Sequence, residues 1–218
     1  MALLLYDTLR SGNAWKVRLM ASLVGQTLER RTLSIDRGDL AQPAFRAIAP
    51  LGHVPVLVLD DGTHVAESMA ILYHLAQGTS WWPASPAERL QVLTWLSFEQ
   101  HRHMTPLAQL RLHLALHRSG RADEAPFVDY ATAAQSALSV LEAQLERQGP
   151  HGWVATPAAP SIADVALYPY TRMAPMGGVA LSPYPAIAAW LARMERLPGY
   201  QPLFPGQPER NLSTQEQP

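Results

Sequence analysis

The chain has 218 residues, of which 48% are hydrophobic and 16% charged, with no cysteine and a net charge of −1. Without cysteine there are no disulfides, thiolate metal sites, iron–sulfur clusters or cysteine nucleophiles. The charge balance leaves no electrostatic footprint for nucleic acid, and the apolar fraction is too high for a disordered chain.

The start, Met1-Ala2-Leu3-Leu4-Leu5-Tyr6-Asp7, has a short apolar run and no basic segment ahead of it, so it does not read as a signal peptide. No stretch approaches the roughly 18 apolar residues of a membrane span. A cytoplasmic protein with no membrane partner is expected.

Leu3 to Tyr6 reads as a buried strand. Ser11-Gly12-Asn13 is turn and cap chemistry, and Val17, Met20, Ala21 and Val24 then recur at helical spacing up to Gly25. Leu28 to Ile35 suits a second strand, and 37–48 a loop with a short helix. Val56 to Leu59 is an apolar strand, Asp60-Asp61-Gly62 a hairpin turn, and Thr63 to Ala66 the returning strand. Glu67-Ser68 opens a helix carrying Ile71, Leu72 and Leu75 on one side. The order β-α-β-(α)-β-β-α predicts parallel pairing followed by an antiparallel hairpin, covered by helices.

Prolines, glycine and hydroxyl residues around 77–86 mark a linker. Beyond it the pattern is helical, with amphipathic runs over 87–118 and 123–148, a helix after Ser161 and another over 186–196. Residues 200–218 are proline-rich, and the last ten read as disordered. The expected architecture is therefore α/β plus all-α: residues 1–78 as a first domain, 79–86 as linker and 87–218 as a helical-bundle domain with a proline-rich tail.

Three places carry chemistry. Pro55 begins a strand, where its missing N–H is tolerated. A cis Val54–Pro55 bond would leave the Val54 N–H and C=O free to pair with an extended peptide-like ligand. An ordinary trans proline is the alternative, since only about 5% of X–Pro bonds are cis. Glu67 and Ser68 at a helix start form an anion pocket, or simply a favourable helix terminus. Ser11, just before a helix, can donate to an anion held there. If that anion is a thiolate, two pKa units need only about 2.7 kcal/mol, within reach of a charge-assisted hydrogen bond plus the helix dipole. Its alternative role is an N-cap. The box Ser161 to Asp164 can cap a buried helix end. His113 and His117 share a helix face, but no motif places a third ligand, so no metal is expected.

Taken together, "SGNAWKVRL" (11–19), "PLGHVPVL" (50–57), "ESMAILYHL" (67–75) and "SIADVALYPY" (161–170) resemble segments of the soluble glutathione transferase family, over residues 3 to 200 or so. The resemblance implies a thioredoxin-like N-terminal domain that binds glutathione as co-substrate, and a helical C-terminal domain. It implies that Val54 pairs with the cysteinyl part and that His53 reaches the glycyl end. Glu67 and Ser68 would hold the γ-glutamyl end. It further implies thiol activation by Ser11 with Asn13 in support, as in the serine-type members, and Tyr6 as the fallback. A co-substrate pocket for a small electrophile would lie between the domains, near Leu9, Arg10, His103, Met104 and Arg111, with Leu203 and Phe204 as a cover. Conjugation, possible peroxide reduction, a role in detoxification and a homodimer are also implied.

Two other readings stay open. One is a non-catalytic glutathione-binding or protein-interaction module. The other is a glutathione-dependent isomerase of the maleylacetoacetate type, which Trp15-Lys16-Val17-Arg18 resembles, although Gly12, Asn13 and Ala14 depart from that pattern.

Overall fold

The computed structural model describes residues 3–203. The expected features of the tail beyond them, Phe204 included, lie outside the described residues. Within them the chain divides into two compact units, one made of 3–79 with 198–203, the other of 80–197. The segment 198–203, read from sequence as part of the helical domain, thus groups with the first unit.

The first unit opens with strand β1 (Leu3–Asp7), helix α1 (Gly12–Leu23) and strand β2 (Leu28–Thr32). A 3₁₀ turn at Asp39–Ala41 precedes helix α2 (Pro43–Ile48). Strands β3 (Val56–Val58) and β4 (His64–Ala66) follow, then helix α3 (Ser68–Ala76). The sheet order is β2-β1-β3-β4, with β1 parallel to β2 and antiparallel to β3. This is the thioredoxin-like pattern. The second strand ends at Thr32, three residues short of the expected Ile35, because β1 offers no partner beyond Asp7.

Strand alternation sorts the sheet's two faces. Leu5 and Leu57, paired in register, are completely buried on one face. Tyr6, Phe45, Ala49 and Val56 form a cluster on the other, with Leu4, Ile48 and Val58 packed against it. β2 is an edge strand that exposes Glu29, Arg30 and Arg31, charges that discourage edge-to-edge pairing. The returning segment is pinned to α1: Trp15 Nε1 donates to the Gln201 carbonyl at 2.9 Å. Gly199 has φ +86°, and a side chain there would come within 2.7 Å of the Ser22 carbonyl oxygen.

The second unit contains α4 (Pro86–Phe98), α5 (Met104–Leu110), α6 (Phe127–Gln148), α7 (Ile162–Arg172) and α8 (Pro185–Met194). Ser85 caps α4 by accepting the Glu88 amide, with Pro86 in the first turn. The run expected as one helix over 87–118 is helical to Leu116 but widens into π turns at Glu99–His103 and Arg111–Leu116. Pro106 explains part of this, since it has no N–H to donate one turn back. The next helix starts at Phe127 rather than 123, just after Pro126.

α7 is the core of this unit, with ten of its residues buried. Its box forms: the Ser161 hydroxyl accepts the Ala163 amide at 3.3 Å, and the Asp164 carboxylate accepts the Ser161 amide at 2.9 Å. Asp164 also accepts the Val154 amide and Trp190 Nε1. The Glu142 carboxylate accepts the amides of Ala186 and Ile187 at 2.8 Å each, closing the start of α8 from a neighbouring helix.

Candidate functional site

The sheet register gathers three loops at one end. Tyr6 faces Val56, and Val56 faces Ala66. Because β3 is antiparallel to both neighbours, the exit of β1, the entrance of β3 and the exit of β4 lie side by side. Ser11 follows the first, Val54-Pro55 precedes the second, and Glu67-Ser68 follows the third. Residues far apart in sequence are thereby brought to one end of the sheet.

Ser11 is the N-cap of α1. Its side-chain oxygen accepts the Ala14 amide at 3.1 Å, and its carbonyl accepts the Trp15 amide. The half-buried hydroxyl gives its own proton to no acceptor among the described residues. Asn13, in the first turn, has Oδ1 buried without a hydrogen-bond partner.

The Val54–Pro55 peptide bond is cis, and no hydrogen bond among the described residues uses the Val54 amide or carbonyl. His53 beside it is exposed. Glu67 stands just outside α3, as its N-cap, with φ 67° and ψ 120°, a strained combination for a residue with a side chain. Its carbonyl accepts the Ile71 amide. Ser68 is the first residue of α3, and only 3% of it is exposed.

Behind Ser11 lies a clamp that the sequence reading missed. The Asp7 carboxylate, fully buried at the end of β1, accepts Arg18 Nη1 at 2.7 Å and Arg30 Nη2 at 2.7 Å. Thr32 Oγ1 donates to its other oxygen at 3.1 Å. Arg18 also reaches the carbonyls of Thr8 and Leu9 at 3.4 and 3.5 Å, in the loop that leads to Ser11. Burial pulls the Arg18 guanidinium below its ordinary value, and Asp7 opposes that pull. The signal was there: one acid closing an apolar strand, and one arginine between Val17 and Leu19.

The fallback, Tyr6, is placed in the core. It is 6% exposed, its ring packs against Phe45, and its hydroxyl accepts Arg31 Nη1 at 3.0 Å. Of the residues expected around a co-substrate, Leu9 is half-buried in the Ser11 loop. Arg10 is buried and ion-paired to Asp36 at 2.6 Å. Met104 is half-buried in the helical unit. His103 departs from the expectation of a cleft-lining side chain. It is fully buried, with Nε2 2.8 Å from Thr171 Oγ1, on the face that also buries Val92, Leu96, Glu99 and Leu107. Arg111 is likewise buried, at 5% exposed. Leu203 is buried and Phe204 lies outside the described residues.

His113 and His117 pack edge to face, with centroids 6.3 Å apart, and His113 Nδ1 lies 2.8 Å from Ser119 Oγ. Among the described residues, no group of three or more His, Cys, Asp or Glu is placed to hold a metal, and no helix is long and apolar enough to cross a membrane.

This geometry has relatives. Residues 10–77 match the family model for the glutathione S-transferase N-terminal domain, and 107–198 that for the C-terminal domain. Glutathione S-transferase F10 of Arabidopsis thaliana is 31% identical over 164 residues, covering 71% of this chain and 74% of its own. Maleylacetoacetate isomerase of Pseudomonas aeruginosa is 28% identical over 191 residues, 84% of this chain and 86% of its own. A glutathione S-transferase structure from Pseudomonas fluorescens is 37% identical, with a TM-score of 0.88, over 94% of this chain and 100% of its own. Two domain matches in the expected order, and homologues along nearly the whole chain, place this protein in the glutathione S-transferase family.

Proposed function

We propose that in this glutathione transferase the Ser11 hydroxyl donates a hydrogen bond to the sulfur of bound glutathione and holds it as the thiolate. The observation that carries this is the state of Ser11. Its oxygen is anchored by the Ala14 amide, its proton is uncommitted, and it stands at the α1 N-terminus, on the same sheet end as Val54 and Ser68. The helix dipole adds to the stabilisation of negative charge there. Tyr6 is less suited, since only 6% of it is exposed and its ring packs against Phe45 in the core cluster.

In the proposed arrangement, Val54 pairs its free backbone groups with the cysteinyl unit of glutathione. Ser68 and the first amides of α3 take the γ-glutamyl carboxylate, Glu67 faces its ammonium, His53 reaches the glycyl carboxylate, and Asn13 supports the sulfur. The thiol loses its proton to solvent. The thiolate then forms a carbon–sulfur bond with an electrophilic small molecule, and the leaving group departs with the electron pair of the broken bond. The chain's contribution is binding, thiolate stabilisation and proximity. A cytoplasmic homodimer acting in detoxification is the setting we propose.

The test is a titration of glutathione bound to the wild-type protein, followed by thiolate absorbance. The expected result is a thiol pKa well below that of free glutathione, together with conjugation of chlorodinitrobenzene. Retention of glutathione with an unshifted thiol and no turnover would point to the non-catalytic binding module instead.

A second reading is isomerisation of maleylacetoacetate, favoured by the isomerase relative that covers 84% of the chain. The matching Trp15 and Arg18 are buried here and serve the fold through Gln201 and Asp7. Direct assay with that substrate separates the two.

A further inference from the structure

The first unit contains a cavity at the opposite end of α1 from Ser11. It measures about 310 Å³, and its lining includes Arg18, Ser22, Gln26, Thr27, Arg30 and Gln201. Arg18, the lining residue nearest Ser11 in the chain, lies seven positions further along, about 10 Å at roughly 1.5 Å per residue. Among the described residues its charged lining is two guanidinium groups and no carboxylate.

Those two arginines share one counter-ion. Asp7 Oδ2 accepts from Arg18 Nη1 at 2.7 Å and from Arg30 Nε and Nη2 at 3.0 and 2.7 Å, and Oδ1 accepts from Thr32. The carboxylate is thus fully used, while the pair keeps one positive charge in excess. Each guanidinium has five N–H donors. Arg18 directs its contacts to Asp7, Thr8 and Leu9, and Arg30 to Asp7, so donors remain on both. Arg18 is held with its side chain 7% exposed, and Arg30 with 35%. Fixed, partly desolvated guanidinium forks with an unmatched charge suit planar or tetrahedral oxyanions. Ser22 and Gln201 add neutral polar side chains to the lining.

We propose that this cavity is a binding site for a small oxyanion, a phosphate or a compact carboxylate, held by Arg18 and Arg30. Such a site does not rest on the assignment of Ser11, although Arg18 also tethers the Thr8 and Leu9 carbonyls of the loop that leads to it.

The experiment uses the full chain saturated with S-methylglutathione, which occupies the thiol site. Inorganic phosphate and citrate are titrated separately at ionic strength matched with chloride, and the melting temperature is followed. The expected result is a saturable rise with at least one of the two, whichever it is identifying the oxyanion class. In Gln201→Glu, which adds a negative charge to the lining without touching Asp7, the apparent affinity falls at least about 10-fold, and S-methylglutathione binding is unchanged. Arg30→Gln, which removes the excess charge, has the same effect on the oxyanion. No saturable rise with either probe, or an unaltered response in Gln201→Glu, overturns the proposal; should Arg30→Gln fail to fold, Gln201→Glu still decides it.

Discussion

The Ser11 side-chain oxygen accepts the Ala14 amide at 3.1 Å, which fixes the hydroxyl at the head of α1 while its proton remains available. A cap and a thiol-activating donor therefore use different atoms of one group, and substitutions can separate them.

Ser11→Ala removes both. Loss of the cap costs about 1 kcal/mol of stability. Loss of the donor raises the pKa of bound glutathione by roughly one to two units, equivalent to about 1.4–2.7 kcal/mol, and lowers conjugation at neutral pH at least about 10-fold. Ser11→Thr restores both. Thiolate absorbance against pH measures the shift, and an unchanged thiol pKa in Ser11→Ala would sink the assignment.

Tyr6→Phe makes the opposite test. It removes one hydrogen bond, that from Arg31, in a site where the ring packing with Phe45 is kept. The expected loss is about 0.5–1.5 kcal/mol in thermal or denaturant unfolding, with the bound thiol pKa unmoved. A raised thiol pKa would make Tyr6 the activating group.

Glu67 holds φ 67° with a side chain in place. Glu67→Gly relieves strain of the order of 1 kcal/mol, so the protein melts higher, while KM for glutathione rises because the carboxylate is gone. Ser68→Ala raises KM about 10-fold, the equivalent of roughly 1.4 kcal/mol, with little change in melting, since the Ser68 hydroxyl serves no partner among the described residues. Equal KM values in both variants and wild type would remove these residues from the binding site.

Arg18→Met leaves the buried Asp7 carboxylate with Arg30 and Thr32 only. Breaking a buried pair costs about 3–5 kcal/mol, and the Thr8 and Leu9 carbonyls lose their tether. Chemical denaturation reads the first effect. A fall in kcat larger than the change in KM reads the second, because Ser11 follows directly on that loop.

Asp164 is completely buried, and burial pushes its carboxyl up, opposed by bonds from Val154, Ser161 and Trp190. The folded protein therefore holds this proton more tightly than the unfolded chain. Its stabilising contribution is fully present below the ordinary carboxylate range, about pH 4, and is lost as pH rises through the raised folded value. Asp164→Asn removes that slope from the pH dependence of unfolding. Asp164→Ala orphans several buried donors and costs about 3 kcal/mol or more.

Much of this protein is legible from local sequence. Apolar runs, the Asp60-Asp61-Gly62 turn, the caps at Ser11 and Ser161, and the alternation of strand and helix patterns all act over a few residues, so order and element type follow from them. Ser11, Val54 and Ser68 could be nominated because each sits at an element boundary with backbone groups to spare. What only the tertiary structure decided depends on pairing between distant segments. The register Tyr6–Val56–Ala66 brings the three loops to one end of the sheet. Packing against α7 puts His103 in the core, on Thr171. The shared Asp7 couples Arg18 to Arg30 and leaves one charge unmatched. Periodicity says which side chains lie on one face of an element, but burial and charge pairing are set by what packs against that face, and that partner comes from elsewhere in the chain.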